Sequence, residues 1–170
     1  MKRTHHILVA LVGSLLVAGG VYAANDEKMP TAEFKPGSYV APKMNHEQYG
    51  SIKIVVPITT DDHAVQGMKL RNLENSLVSA AKWGGQMQNT VVLYAKGVTL
   101  LKSPDAETQK RIDGLKAKGV QFVVCDNSLR EQNIDFHQLY HVTDRDIVPS
   151  GFVEVAYLQT KKNYVVDPIN

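Results

Sequence analysis

The chain has 170 residues and a formal charge of +2, from 19 basic and 17 acidic side chains. Two of the basic residues, Lys2 and Arg3, lie in an N-terminal segment that has the pattern of an export signal; without them the two signs balance at 17 each. A near-neutral chain has little attraction for a nucleic-acid backbone, so we expect no nucleic-acid partner. A single cysteine excludes an internal disulfide framework, so packing must supply the stability.

The first 24 residues have the pattern of a secretory signal peptide. Basic residues precede an apolar core at 7–17, and a small-residue stretch at 18–24 puts Val21 and Ala23 at a cleavage position. The apolar core is shorter than the roughly 20 residues that a membrane helix needs. We therefore expect an exported protein, in the periplasm of a bacterium, with no membrane attachment after cleavage.

Residues 25–50 are predicted to be an extended N-terminal lead. They contain Pro30, Pro36 and Pro42 among polar residues and have no sustained apolar period. Such a segment docks on the domain or wraps around a partner. Residues 51–170 are then expected to form one domain, because about 145 residues after cleavage are enough for one hydrophobic core.

From Ser51 onward, short apolar runs alternate with helical periods. Strands are predicted at 52–58, 90–95, 120–125 and 164–166. Pro57 marks either an edge strand or the end of the first strand. Strands that alternate with helices predict an α/β fold: three α/β/α layers around a mostly parallel sheet of about four to five strands.

Capping residues predict where the helices begin. Residues 59–62 offer caps for a long first helix, and Ser103 before Pro104 caps the second. Ser128 with Glu131 matches a capping box, and Ser150 caps the last helix.

The only cysteine, Cys125, ends the third predicted strand. The carboxyl ends of parallel strands face the crevice where open α/β sheets bind ligands. Two interpretations of Cys125 remain open: a reactive thiol, since an unpaired thiol is unusual in an oxidising compartment, and a small buried core residue. The other residues expected at this edge are Thr59, Thr60, Lys96, Gly97, Asp126, Asn127 and Ser128.

The charges around Cys125 act in opposite directions. A helix that begins directly after the cysteine would stabilise a thiolate, and Lys96 would help if its loop lies alongside. The adjacent Asp126 carboxylate would disfavour a second negative charge. The sequence does not decide which effect is larger.

Three segments carry a family resemblance: 119–129 (GVQFVVCDNSL), 147–159 (IVPSGFVEVAYLQ) and 164–168 (YVVDP). In order and spacing they resemble the DsrE/DsrF-like family. The resemblance implies a compact α/β domain, commonly assembled into trimers or hexamers, and a cysteine that passes sulfane sulfur between proteins as a persulfide. Cys125 matches the position of that cysteine. The chain departs from sulfur-relay members in its export signal and at 126–128, where those members have small apolar residues.

The resemblance therefore implies a persulfide carrier of sulfur-compound metabolism that is at most sulfurtransferase-like and works with an unidentified donor or acceptor protein. Together with the export signal, it leads us to expect an exported carrier, and we expect no cofactor. The edge residues Lys96, Gly97, Asp126, Asn127 and Ser128 would bind its ligand. The alternative is a non-catalytic module of the same fold, which binds a small ligand or serves as an oligomeric scaffold. Solvent access of the cysteine distinguishes the two.

No metal site is expected. His137 and His141 are four residues apart and would share one face of a helix, but the sequence offers no third ligand with them. A polar surface or core role is the expectation for both.

Overall fold

The computed structural model describes Gly37 and residues 42–167. Contacts between residues divide the chain after Ala41. The predicted signal peptide and most of the predicted lead lie outside the described residues. Within the described part, no helix is both long and apolar enough to cross a membrane.

In the described part of the chain, a five-stranded sheet forms the centre of the domain. Its strands are β1 (Gly50–Ile58), β2 (Gly85–Leu93), β3 (Gln121–Cys125), β4 (Ile147–Val148) and β5 (Val165–Val166). They lie in the order β4-β3-β2-β1-β5, and every pairing is parallel. The prediction of an α/β fold around a parallel sheet is confirmed. The sequence did not reveal β4, because a strand of two residues is too short to show a period.

Pro57 lies in an interior strand, not at an edge. It is the penultimate residue of β1, and β5 pairs only with Ile54 and Val55 of that strand. The missing amide hydrogen therefore falls beyond the short partner strand. Of the two interpretations of this proline, the edge strand was wrong and the strand end was right.

Within residues 42–167, four helices accompany the sheet: α1 (His63–Lys82), α2 (Ala106–Ala117), α3 (Asp126–Glu131) and α4 (Gly151–Lys162). On one face of the sheet, side chains from α1, α2 and α3 join a cluster of 16 buried hydrophobic residues. On the other face, α4 contributes Leu158 to a cluster of four. The main core therefore lies between the sheet and the first two helices.

The start of α2 differs from the prediction. Its N-cap is Asp105, whose side chain accepts a hydrogen bond of 2.8 Å from the backbone N–H of Thr108. Ser103 has a φ of +55° and lies in the turn before the helix, so Pro104 precedes the cap instead of following it. A carboxylate within reach of the N–H groups of the first turn is a strong cap, which explains why the helix begins at this later residue.

The start of α3 also differs. This helix begins at Asp126 with Cys125 as its N-cap, directly from the strand and without a side-chain cap. Ser128 lies inside the helix, where its Oγ accepts a bond of 2.7 Å from the backbone N–H of Ala95. The predicted capping box was wrong because no loop separates β3 from α3. The prediction for Ser150 is confirmed: its Oγ accepts from the N–H of Val153.

Candidate functional site

Cys125 lies at the carboxyl edge of the sheet, where β3 passes into α3. In the strand register Val124 is opposite Leu93 of β2, and Cys125 is opposite Val148 of β4. The thiol is unpaired and the residue is only 4% exposed. The structure thus puts the cysteine at the predicted edge of the sheet but just below the surface.

A 3-10 turn at Ala95–Leu101 follows β2 and packs beside α3. Two hydrogen bonds join them: the N–H of Ala95 donates to Ser128 Oγ, and Gln132 Nε2 donates to the carbonyl oxygen of Ala95 over 2.8 Å. We call this pair of bonds the Ala95 clasp. It holds the segment that follows β2 against α3, the helix whose N-cap is Cys125.

Gly97 allows the turn to pack closely on the end of β1. A Cβ atom at this position would lie 1.8 Å from the carbonyl oxygen of Ile58, so only glycine fits without movement of the backbone. Close packing accounts for this residue in the free protein. Its predicted part in ligand binding stays a prediction.

The charged edge residues are paired at the surface. Lys96 is 69% exposed and lies 3.4 Å from Asp61, while Asp126 accepts a bond of 2.6 Å from Arg130. Exposed pairs of this kind contribute little to stability, so both side chains can exchange partners. The guanidinium of Arg130 also offsets the Asp126 charge that was expected to oppose a thiolate.

The predicted edge residues fall into two groups. Lys96 and Asn127 are exposed and Asp126 is half-buried, so these three can meet a ligand. Gly97 and Ser128 are buried: Gly97 lets the turn pack on the end of β1, and Ser128 bonds the turn to α3. α3 has six residues, less than two turns, so few aligned peptide dipoles act on the thiol.

The two histidines do not share a helix. His137 lies in a 3-10 turn and bonds to Asp135, whose pKa is held below its usual value by hydrogen bonds from His137. His141 has a φ of +51° and lies 3.1 Å from Asp113. Within the described residues, no three histidine, cysteine or acidic side chains are grouped to hold a metal ion.

Sequence reasoning missed two clefts. One, of about 450 Å³, lies between the first turns of α1 and α2 and includes Gln66. The other, of about 550 Å³, lies between α3 and the turn Phe136–Gln138 and begins at Asp126. The polar Gln66 within an apolar helical stripe was the available signal for the first cleft. The second is made by irregular segments that have no sequence period.

The sequence profile of the DsrE/DsrF-like family matches residues 53–168. Among solved structures, the protein of unknown function MTH1491 from Methanobacterium thermoautotrophicum is 26% identical, with a TM-score of 0.59 over 68% of this chain and 97% of its own. BT1422 from Bacteroides thetaiotaomicron, a conserved protein of unknown function, is 19% identical, with a TM-score of 0.49 over 67% and 91%. No curated protein matches. The profile match covers more than half of the chain, and the chain therefore belongs to the DsrE/DsrF-like family.

Proposed function

We propose that this protein is a sulfur carrier that holds sulfane sulfur as a persulfide on Cys125. The observation that carries the proposal is the position of the only cysteine, at the strand-to-helix junction of a DsrE/DsrF-like domain. Ligands of open α/β sheets gather at this edge. The exposed Lys96 and Asn127 would meet the sulfur donor.

The transfer is an exchange between thiols. The Cys125 thiolate attacks the outer sulfur of a donor persulfide, the sulfur–sulfur bond of the donor breaks, and the donor leaves as a thiolate. Cys125 then bears the persulfide. An acceptor thiolate attacks its outer sulfur in the same way and restores the Cys125 thiolate, so no external oxidant or reductant is consumed.

The low exposure of Cys125 means that the donor reaches it only when the surface opens. The Ala95 clasp is the barrier that we propose: it has two hydrogen bonds, and Gln132, which supplies one of them, is an exposed residue. A net hydrogen bond contributes about 0.5–1.5 kcal/mol, so local opening is accessible without unfolding of the sheet.

The burial of Cys125 favours a second candidate, in which the thiol is a core residue and the domain binds a small ligand or acts as a scaffold without catalysis. A cysteine that is 4% exposed is typical of a small hydrophobic residue in a core. Both candidates predict the same fold. They differ in the reactivity of the native thiol.

Intact mass spectrometry separates the two candidates. The mature protein is incubated with a polysulfide donor and weighed with and without dithiothreitol, beside Cys125→Ser, which removes the only thiol. A carrier gains the mass of one sulfur atom, loses it to the reductant, and shows no gain in the variant. If the native protein gains no mass and its thiol reacts with iodoacetamide only after urea is added, Cys125 is a core residue.

We also propose a homo-oligomer, a trimer or hexamer, in the exported mature protein. The support is the outer face of α4, where Phe152, Val153 and Tyr157 are exposed. Val153 and Tyr157 are four residues apart and share one side of the helix, and Phe152 lies about 100° around the helix from Val153. Exposed apolar side chains grouped on one helix mark interaction sites. The solution mass of residues 25–170 by light scattering tests this, and a monomer at micromolar concentration would contradict it.

N-terminal sequencing of periplasmic protein tests the export.

A further inference from the structure

The cleft between α1, α2 and the turn Ala95–Leu101 does not include Cys125 among its lining residues. Its volume of about 450 Å³ lies in the range of small-molecule sites, about 300–1,000 Å³. Leu70 and Leu100, both buried, supply its apolar part together with Pro104. This surface fits a flat or apolar group.

The amide of Gln66 is fixed at this cleft and is only half satisfied. Gln66 is 1% exposed, and its Nε2 donates to the carbonyl oxygen of Thr60 over 2.8 Å and to Thr99 Oγ over 3.4 Å. Its Oε1 is buried and has no hydrogen-bond partner among the described residues. A buried acceptor without a donor costs about 1–3 kcal/mol, which a ligand that supplies an N–H group would recover.

Two cationic side chains that line the cleft form no ion pair with the described residues. Arg71 and Lys102 are exposed, and neither has an ion-pair partner within residues 42–167. The third cation, Arg111, is already bound to Glu74 and Glu107. The cleft therefore combines an apolar part, one buried acceptor and two cations that are available to an anion. Its two carboxylates are engaged elsewhere: Asp105 accepts from the N–H of Thr108, and Glu107 pairs with Arg111.

We propose that this cleft binds a nucleoside monophosphate. The base would pack on Leu70 and Leu100 and donate a ring or exocyclic N–H to Gln66 Oε1, while the phosphate would pair with Arg71 and Lys102. The site is separate from the persulfide chemistry proposed for Cys125 and goes beyond it. It gives the domain a second ligand of a different chemical class.

Binding requires a small movement of the cleft wall, because Oε1 has no access to solvent in the free protein. The connection from Lys102 to Pro104 is the segment that we expect to move. It links the 3-10 turn to α2, and Ser103 within it is exposed and has a φ of +55°. A segment with few tertiary bonds is displaced at low cost.

Isothermal titration calorimetry with guanosine 5′-monophosphate tests the site. Guanosine and inorganic phosphate are titrated separately, so that the contributions of base and phosphate are distinguished. We expect one nucleotide per chain, bound about tenfold or more tighter than either fragment. Gln66→Leu, Arg71→Gln and Lys102→Gln should each weaken binding by about tenfold. Cys125→Ser should bind normally.

Lys118→Gln is the matched control. Lys118 is exposed at the opposite end of α2, about 10 Å along the helix from Arg111, the nearest α2 residue that lines the cleft, so its loss should leave the affinity unchanged. Absence of nucleotide binding, or phosphate binding as tightly as the nucleotide, would overturn the proposal. The proposal would also be overturned if Arg71→Gln and Lys102→Gln left the nucleotide affinity unchanged. These two exposed positions keep the test valid even if Gln66→Leu does not fold.

Discussion

The two faces of the sheet are covered to different extents. On the face packed by α1 and α2, the described residues form a cluster of 16 buried hydrophobic side chains. On the other face, α4 and the sheet bury four, and Phe152, at the first turn of α4, is 72% exposed. The face packed by α1 and α2 has a well-buried hydrophobic core within the single chain. The other combines a thin core with an outward apolar surface, which is typical of a face that a second subunit covers.

The same contrast extends to the helix caps. On the crowded face, Asp105 caps α2 through a bond of 2.8 Å with a charged acceptor. On the open face, Ser150 caps α4 through a longer bond of 3.4 Å with a neutral acceptor. The helix of the thin core is thus held less strongly in the isolated chain by both packing and capping.

The largest effect is expected at the ion pair that joins the crowded face to the edge of the sheet. Lys69 of α1 is 5% exposed, and its Nζ lies 3.0 Å from Asp167, which follows β5. Lys69→Met removes the cation that lies 3.0 Å from a largely buried carboxylate and should lower the free energy of unfolding by about 3–5 kcal/mol in a urea titration. The double variant Lys69→Met/Asp167→Leu should lose much less. Equal losses would show that packing, not charge, is responsible.

Truncation of one leucine on each face measures the two cores directly. Leu115→Ala removes a fully buried side chain from the larger cluster and should cost about 3–4 kcal/mol, because a cavity remains that neighbours cannot fill. Leu158→Ala, in the cluster of four, should cost about 2 kcal/mol. Urea unfolding at a concentration where the protein is monomeric provides the comparison. A larger loss at Leu158 would reverse the order of the two faces.

A smaller effect is expected at the α2 cap, and it depends on pH. Hydrogen bonds from Thr108 lower the pKa of Asp105 below its ordinary value of 3.8. The folded pKa is therefore lower than the unfolded one, so the stabilisation is present above about pH 3.8 and is lost as the pH falls through the folded pKa. Asp105→Ala should lower the melting temperature at pH 7 and have less effect at pH 2. Asp105→Asn also removes the titrating carboxylate but keeps a neutral acceptor, so it should lose less stability than alanine at pH 7 and show the same pH dependence relative to the wild type. A loss that is equal at pH 7 and pH 2 in both variants would contradict the assignment.

The smallest effect on folding, within about 0.5 kcal/mol, is expected for Phe152→Ser, because the side chain is mostly in solvent. Its effect on assembly should be large: light scattering should show a shift from the oligomer toward the monomer. Val78→Ser is the matched control, since Val78 is an exposed apolar residue of α1. Loss of the oligomer in the control but not in Phe152→Ser would place the interface on α1.

The sequence predicted the parts of the fold that have a strong local signal. The long first helix, the central strands and the Ser150 cap were confirmed because each has a run of apolar residues or a capping side chain of its own. The Ser128 capping box and the Ser103 start of α2 were wrong. Both patterns were present in the sequence. However, Ser128 Oγ accepts a hydrogen bond from the N–H of Ala95, and Asp105 is a better cap for α2 than Ser103. Local rules do not include the competition between neighbouring segments.

The candidate site divides in the same way. The sequence by itself determined that Cys125 ends a buried strand and that this strand belongs to an alternating α/β pattern, because hydrophobic period and chain order are local properties. Only the tertiary structure decided that the thiol is buried, that Ala95 is bonded to Ser128 and Gln132, that Gly97 serves close packing, and that Gln66 lines a separate cleft. These features depend on residues that are distant in the chain, and folding alone brings them together.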